Sequence, residues 1–156
     1  VKLIQCLCLI ISLAFAAPAQ AHWPNTRWGM NEAEVRAVWP TASEVESAGS
    51  YFLEIPGPVA VGGVTYESIK LTFDTKGRLR RVGLATTLPF EELRRRMISE
   101  FGSPSKETNE PFALGLNTRS VDFRDTTRGN QINLFALTGG PTSKAHVTYT
   151  PLETGF

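Results

Sequence analysis

Residues 69–84 constrain the fold more than any other stretch. Ile69, Leu71 and Phe73 alternate with Lys70 and Thr72, the period of a strand with one buried face. Asp74-Thr75-Lys76-Gly77 follows, which suits a type I turn with Gly77 in the left-handed position. That turn pairs Phe73 with Leu79. An unbroken register then sets Arg81 against Leu71, a cation against the buried face. One extra residue at Arg80 or Arg81 restores the pattern, with Val82 opposite Leu71 and Leu84 opposite Ile69. The alternation therefore predicts an antiparallel hairpin interrupted by a β-bulge.

Two helices flank this hairpin in sequence. Asn31 is placed to cap the first, with Glu34 reaching back as in a capping box and Met30 and Val35 at the staple positions. Pro40 stops it. The second begins near Pro89 and ends at Gly102, with Phe90, Leu93, Met97 and Phe101 on one side. Further strands are expected at Tyr51–Ile55, broken by Pro56-Gly57-Pro58, and at Ser120–Arg124, Gln131–Leu137 and Ala145–Thr150. Residues 41–49 and 103–118 read as polar or irregular connection. Phe73-Asp74…Gly77 is faintly echoed by Phe123…Asp125…Gly129, too weakly to define a repeat. The expected fold is α+β: a two-layer antiparallel β-sheet with two helices packed on one face, in the order α-βββ-α-βββ.

The N-terminus sets the expected compartment. Lys2 precedes an apolar stretch from Leu3 to Ala17, and Ala19-Gln20-Ala21 offers small residues to a signal peptidase. The stretch is shorter than the roughly 17 to 25 residues of a membrane-spanning helix. Residues 1–21 are therefore expected to be a cleavable signal peptide and residues 22–156 a single periplasmic or secreted domain. Cys6 and Cys8 leave with the signal, which removes thiol chemistry and disulfides from the mature chain. Neither cysteine lies at the end of the apolar stretch, so no lipid anchor and no transmembrane segment are expected. Lys and Arg total 16 against 15 Asp and Glu, and loss of Lys2 balances them. That balance argues against nucleic acid as a partner.

Arg27-Trp28-Gly29-Met30-Asn31-Glu32-Ala33-Glu34-Val35 resembles the Gly-Met-Ser/Thr-x-x-Glu-Val helix opening of small bacterial envelope proteins. These are the SmpA/OmlA (BamE-like) lipoproteins and related β-lactamase-inhibitor-protein-like domains. Phe73-Asp74…Gly77-Arg78-Leu79…Val82 is similar to their sheet hairpin. Leu93 to Pro104, ending Phe101-Gly102-Ser103-Pro104, is similar to the second helix and its exit in related periplasmic proteins. The resemblance implies a periplasmic α+β domain that binds other proteins and catalyses nothing. Its motifs are a cap, a turn and a helix end, so it carries over no site residue.

The chemistry available is narrow. After cleavage the only histidines are His22 and His146, and most nucleophile–base pairs and transition-metal sites need more. An N-terminal His22 presents an amine and an imidazole together. With His146, and Tyr149 on the same strand, it defines the alternative of a copper-binding or copper-dependent enzyme. Ser103-Pro104-Ser105-Lys106 matches a Ser-x-x-Lys string, but it follows a helix end where that motif needs a helix start. Arg94-Arg95-Arg96 points three ways around a helix, with Glu91, Glu92 and Glu100 at pairing distance along it. Trp23, if exposed beside Phe112, is the first candidate for a partner surface. The expected function is non-enzymatic binding of a protein or cell-envelope component, with no cofactor. A structural envelope protein without a discrete ligand is the further alternative.

Overall fold

In the computed structural model, which describes residues 23–47, 49–140 and 144–153, the hairpin forms as its alternation requires. Strand β3 (Val64–Phe73) pairs with β4 (Leu79–Thr86), joining Phe73 to Leu79, Thr72 to Arg81, Leu71 to Val82 and Ile69 to Leu84. Arg80 is the extra residue. It lets Leu79 and Val82 both reach the buried side, where each is fully buried. The turn is held by Asp74, whose Oδ1 accepts from the backbone N–H groups of Lys76 and Arg78. Gly77 has φ of 69°, a conformation that costs other residues free energy.

The remaining elements are α1 (Glu32–Val38), β1 (Ser43–Ser47), β2 (Ser50–Val61), α2 (Phe90–Phe101), β5 (Lys106–Pro111), β6 (Asn117–Asp125), β7 (Asn130–Thr138) and β8 (Ala145–Pro151). The capping box at Asn31 and Glu34 is present with both hydrogen bonds. Helix α2 spans the residues between Pro89 and Gly102, and it buries Phe90, Leu93 and Met97. No helix among the described residues is long and apolar enough to cross a membrane. The expected leader, residues 1–21, lies outside the described residues.

All eight strands belong to one antiparallel sheet in the order β1-β2-β3-β4-β8-β7-β6-β5. This corrects the expected two-layer α+β fold of order α-βββ-α-βββ. Strands make up 53% of the structure and helices 17%, so the molecule is mainly β and each helix is followed by four strands. The two strands missing from the expectation are β1 and β5, the two edges of the sheet. Their residues are exposed except for the half-buried Val45 and Thr108, so neither shows the apolar alternation that marks a strand with a buried face. Strand β2 also continues through Pro56-Gly57-Pro58, because the register with β3 slips between Pro56 and Val59. A Cβ on Gly57 would lie 2.1 Å from the Glu67 carbonyl oxygen. Only glycine permits that approach.

Read inward from either edge, the sheet presents four consecutive strands, and the halves meet where β4 pairs with β8. The weak sequence echo does not follow this arrangement. It matches the β3–β4 turn to the β6–β7 turn, whereas the sheet order makes the β7–β8 connection the counterpart of β3–β4.

Two apolar rows cross six strands on the core face. One runs Leu53, Leu71, Val82, Tyr149, Ile132, Phe123, and the next runs Ile55, Ile69, Leu84, Val147, Leu134, Val121. All twelve are buried, in one cluster with Val35 of α1 and Phe90, Leu93 and Met97 of α2. Each such side chain contributes roughly 1.5 to 3 kcal/mol of transfer free energy. Ion pairs seat the helices on this same face: Arg36 of α1 reaches Glu44 of β1, Arg94 of α2 reaches Glu107 of β5, and Arg119 of β6 reaches Glu91 of α2.

Candidate functional site: the open face of the sheet

Because side chains alternate along a strand, the residues between the apolar rows form the opposite face. One row reads Glu54, Lys70, Gly83, Thr148, Asn133, Asp122, Lys106, and its neighbour reads Ser68, Ala85, His146, Phe135, Ser120, Thr108. Among the described residues no helix packs on these rows, since both helices contribute to the core on the other side.

The open face is mostly uncharged and rich in hydrogen-bonding groups. The Asn133 amide donates to Ser120 Oγ and to Asp122 Oδ1, both at 2.7 Å. Such cross-strand bonds hold the polar side chains in fixed orientations. Lys70 Nζ sits 4.7 Å from the Phe52 ring centroid, so that aromatic is covered by a cation rather than presented to solvent. At the junction of the halves, β4 offers only Gly83 and Ala85. A shallow groove of about 290 Å³ opens over them, bordered by Glu54, Lys70, His146 and Thr148. A Cβ on Gly83 would approach nothing closer than Lys70 Cβ at 3.9 Å, so the groove floor has room for a larger side chain.

The residues singled out from sequence are dispersed. His146 is exposed on the open face, paired across the strands with Ala85 and Phe135. Tyr149, three residues on, is 6% exposed on the core face. An odd separation along a strand puts two side chains on opposite sides of the sheet, so these two do not converge on one ion. His22 lies outside the described residues. Among the described residues no three His, Cys, Asp or Glu side chains are grouped to hold a metal.

The expected Trp23–Phe112 surface needs correction. Trp23 is 3% exposed, with its indole tilted against Trp39 at 5.7 Å between centroids. The entry segment is tied down rather than loose. Thr26 donates to the Trp23 carbonyl from both its N–H and its hydroxyl, and Gly29 and Met30 exchange backbone hydrogen bonds with Leu79. Trp28 is also held, donating from Nε1 to Asn130 Oδ1 at 2.8 Å. Phe112 does reach the surface, at 55% exposed, in company with Leu114 at 98% and Leu137 at 38%. Residues 111–118 carry no charge, and that feature of the sequence marks Leu114 and Leu116 as well as Phe112.

Beneath the β2–β3 tip lies a cavity of about 40 Å³, lined by Trp23, Tyr66, Met97, Phe101, Val147 and Tyr149 among others. It is far below the roughly 300 Å³ of the smallest usual ligand pockets. Burial pushes the Tyr66 hydroxyl up to about 12, with the Glu100 carboxylate adding to the shift. Tyr149 is raised well above 10 for the same first reason, with Tyr66 and Glu100 contributing. Both are neutral core phenols at physiological pH. The three consecutive arginines also diverge: Arg94 pairs with Glu107, Arg96 pairs with Glu92 and donates to the Gly63 carbonyl, and Arg95 faces solvent. Comparison with known proteins found no match to a family model, a curated protein or a solved structure.

Proposed function

We propose that this chain is an exported, non-catalytic binding protein that docks a protein or other cell-envelope component on the open face of its sheet. The observation that carries the reading is the asymmetry of the sheet. One face holds the whole core and both helices, while the other presents Ser, Thr, Asn and His side chains among Glu54, Lys70, Asp122 and Lys106, with no described element over them. Eight strands spaced by ~4.8 Å and about five residues rising ~3.3 Å each make a surface of about 34 by 17 Å. That is the scale of the ~800 Å² each partner buries in a stable protein complex, and it suits a folded protein better than a small ligand. Export rests on the N-terminal apolar stretch and its small-residue site. The likeness of Arg27–Val35 to the helix opening of SmpA/OmlA-type and β-lactamase-inhibitor-protein-like domains supports the absence of catalysis.

Photo-crosslinking in the native envelope tests the proposal. A crosslinking amino acid at Thr148 or Asn133 is expected to capture one major protein, and the same probe at Arg95 on the solvent side of α2 is not. Equal capture from both positions, or from Arg95 alone, overturns the assignment of the face.

A further inference from the structure

A second surface lies at one end of the sheet. Strand β5 ends at Pro111, β6 begins at Asn117, β7 ends at Thr138 and β8 begins at Ala145, so the β5–β6 and β7–β8 connections emerge together. They touch: a Cβ on Gly139 would lie 3.2 Å from the Gly115 carbonyl oxygen and 3.6 Å from Leu116 Cα. The tip they form displays Phe112, Leu114 and Leu137, with Leu116 half-buried beside them.

Two features set this tip apart from an ordinary loop. Leu114 holds φ 61° and ψ 30°, a left-handed conformation that costs a non-glycine residue roughly 1 to 2 kcal/mol. The backbone around it is fixed by hydrogen bonds from Phe112 N–H to the Leu116 carbonyl and from Leu116 N–H to the Ala113 carbonyl. The loop therefore holds its most exposed apolar side chain outward, in a strained conformation, where a polar residue or glycine fits at lower cost. The second feature is charge. Neither 111–118 nor 131–143 contains Asp, Glu, Lys, Arg or His. The nearest cations along the chain are already matched, Arg119 with Glu91 and Lys144 with Glu67.

We infer that this tip inserts into the surface of a lipid bilayer. Four apolar side chains are too few for a stable dimer, which buries ~800 Å² from each partner. The rim of a protein interface is also normally polar, whereas residues 111–118 carry no charge and Lys144, the one charged residue of the second loop, is matched by Glu67. A protruding apolar knob needs no complementary pocket to leave water for the acyl-chain boundary. The gain from one leucine and one phenylalanine is enough for weak, reversible partition. The strands run away from the tip, so the open face stays accessible in the docked orientation. This inference does not depend on the function proposed for that face.

The test uses residues 22–156, which contain no other cysteine, labelled at Ala113→Cys with an environment-sensitive fluorophore and mixed with phosphatidylcholine vesicles. The label is expected to report an apolar environment. Leu114→Asp is expected to lower partition of the tip about tenfold or more. Leu114 is almost fully exposed, so that variant retains the fold, which near-ultraviolet circular dichroism verifies. A label that stays in water with both neutral vesicles and vesicles containing phosphatidylglycerol overturns the inference. So does binding that requires phosphatidylglycerol and is unchanged by Leu114→Asp. A photo-probe at Leu114 that captures a protein and no lipid in the native envelope assigns the tip to a protein partner instead.

Discussion

Leu114 and Tyr66 are two departures from residue-level rules, and they have different causes. At Leu114 an apolar side chain occupies a left-handed backbone position at 98% exposure. No packing term offsets that cost within the described residues, which is why the position is read as a contact point. Tyr66 is the opposite case, a polar side chain 6% exposed within the core cluster, neutral because burial disfavours its anion. Its shift has a definite consequence for stability. In the unfolded chain a tyrosine loses its proton near pH 10, while folded Tyr66 keeps it to about 12. Between those values the unfolded state binds fewer protons, so stability falls as pH rises. Tyr66 therefore contributes fully below pH 10 and loses that contribution by about pH 12. The slope is up to about 1.4 kcal/mol per pH unit for this group. Urea unfolding across this range is expected to show the decline in the wild type and a shallower one in Tyr66→Phe. Identical slopes contradict the assignment.

Register decides the behaviour of the elements, and the bulge at Arg80 is where it can be tested. Removing Arg80 joins Leu79 to Arg81 and leaves an unbroken alternation, with Leu79 inward, Arg81 outward and Val82 inward. That deletion is expected to preserve the fold at a cost of about 1 kcal/mol from altered strand twist. Deleting Gly83, three positions on, instead turns Leu84 and Thr86 out of the core, where they are now 3% and 0% exposed. Loss of a buried leucine alone costs about 2 to 5 kcal/mol, so the Gly83 deletion is expected to unfold the chain or nearly so. Comparable midpoints for the two deletions in chemical denaturation contradict the register argument. The same logic explains what was legible in the sequence. The bulge, the capping box and the ends of α2 follow from local spacing, because each depends on residues within a few positions of one another. Strands β1 and β5 could not be read this way. An edge strand is paired on one side only, and Ser43-Glu44-Val45-Glu46-Ser47 and Lys106-Glu107-Thr108-Asn109-Glu110 have no fully buried side chain to impose a period. Glutamates on both edges also suit them to resist pairing with another sheet. Pro56-Gly57-Pro58 does not end the strand, because β2 accommodates those residues through a bulge opposite Glu67.

At the scale of the whole molecule, the decisive contact is between β4 and β8, which unites the two four-strand halves through residues about 60 positions apart in sequence. No local pattern encodes that pairing, so the rows that cross it were not legible even though each strand's own alternation was. His146 illustrates the consequence. It alternates with Val147 along β8, but only the β4–β8 register sets it beside Ala85, at the edge of the groove over Gly83. The central claim is that this face binds a partner, and Gly83 is the position that tests it most directly. Gly83→Arg fills the groove floor, where a Cβ meets only Lys70 at 3.9 Å, without entering the core. The measurement is capture by the tagged variant from the native envelope, beside the wild type and Arg95→Ala. Folded Gly83→Arg that loses the captured protein at least tenfold, with Arg95→Ala unaffected, is the predicted result. Undiminished capture by folded Gly83→Arg contradicts the account.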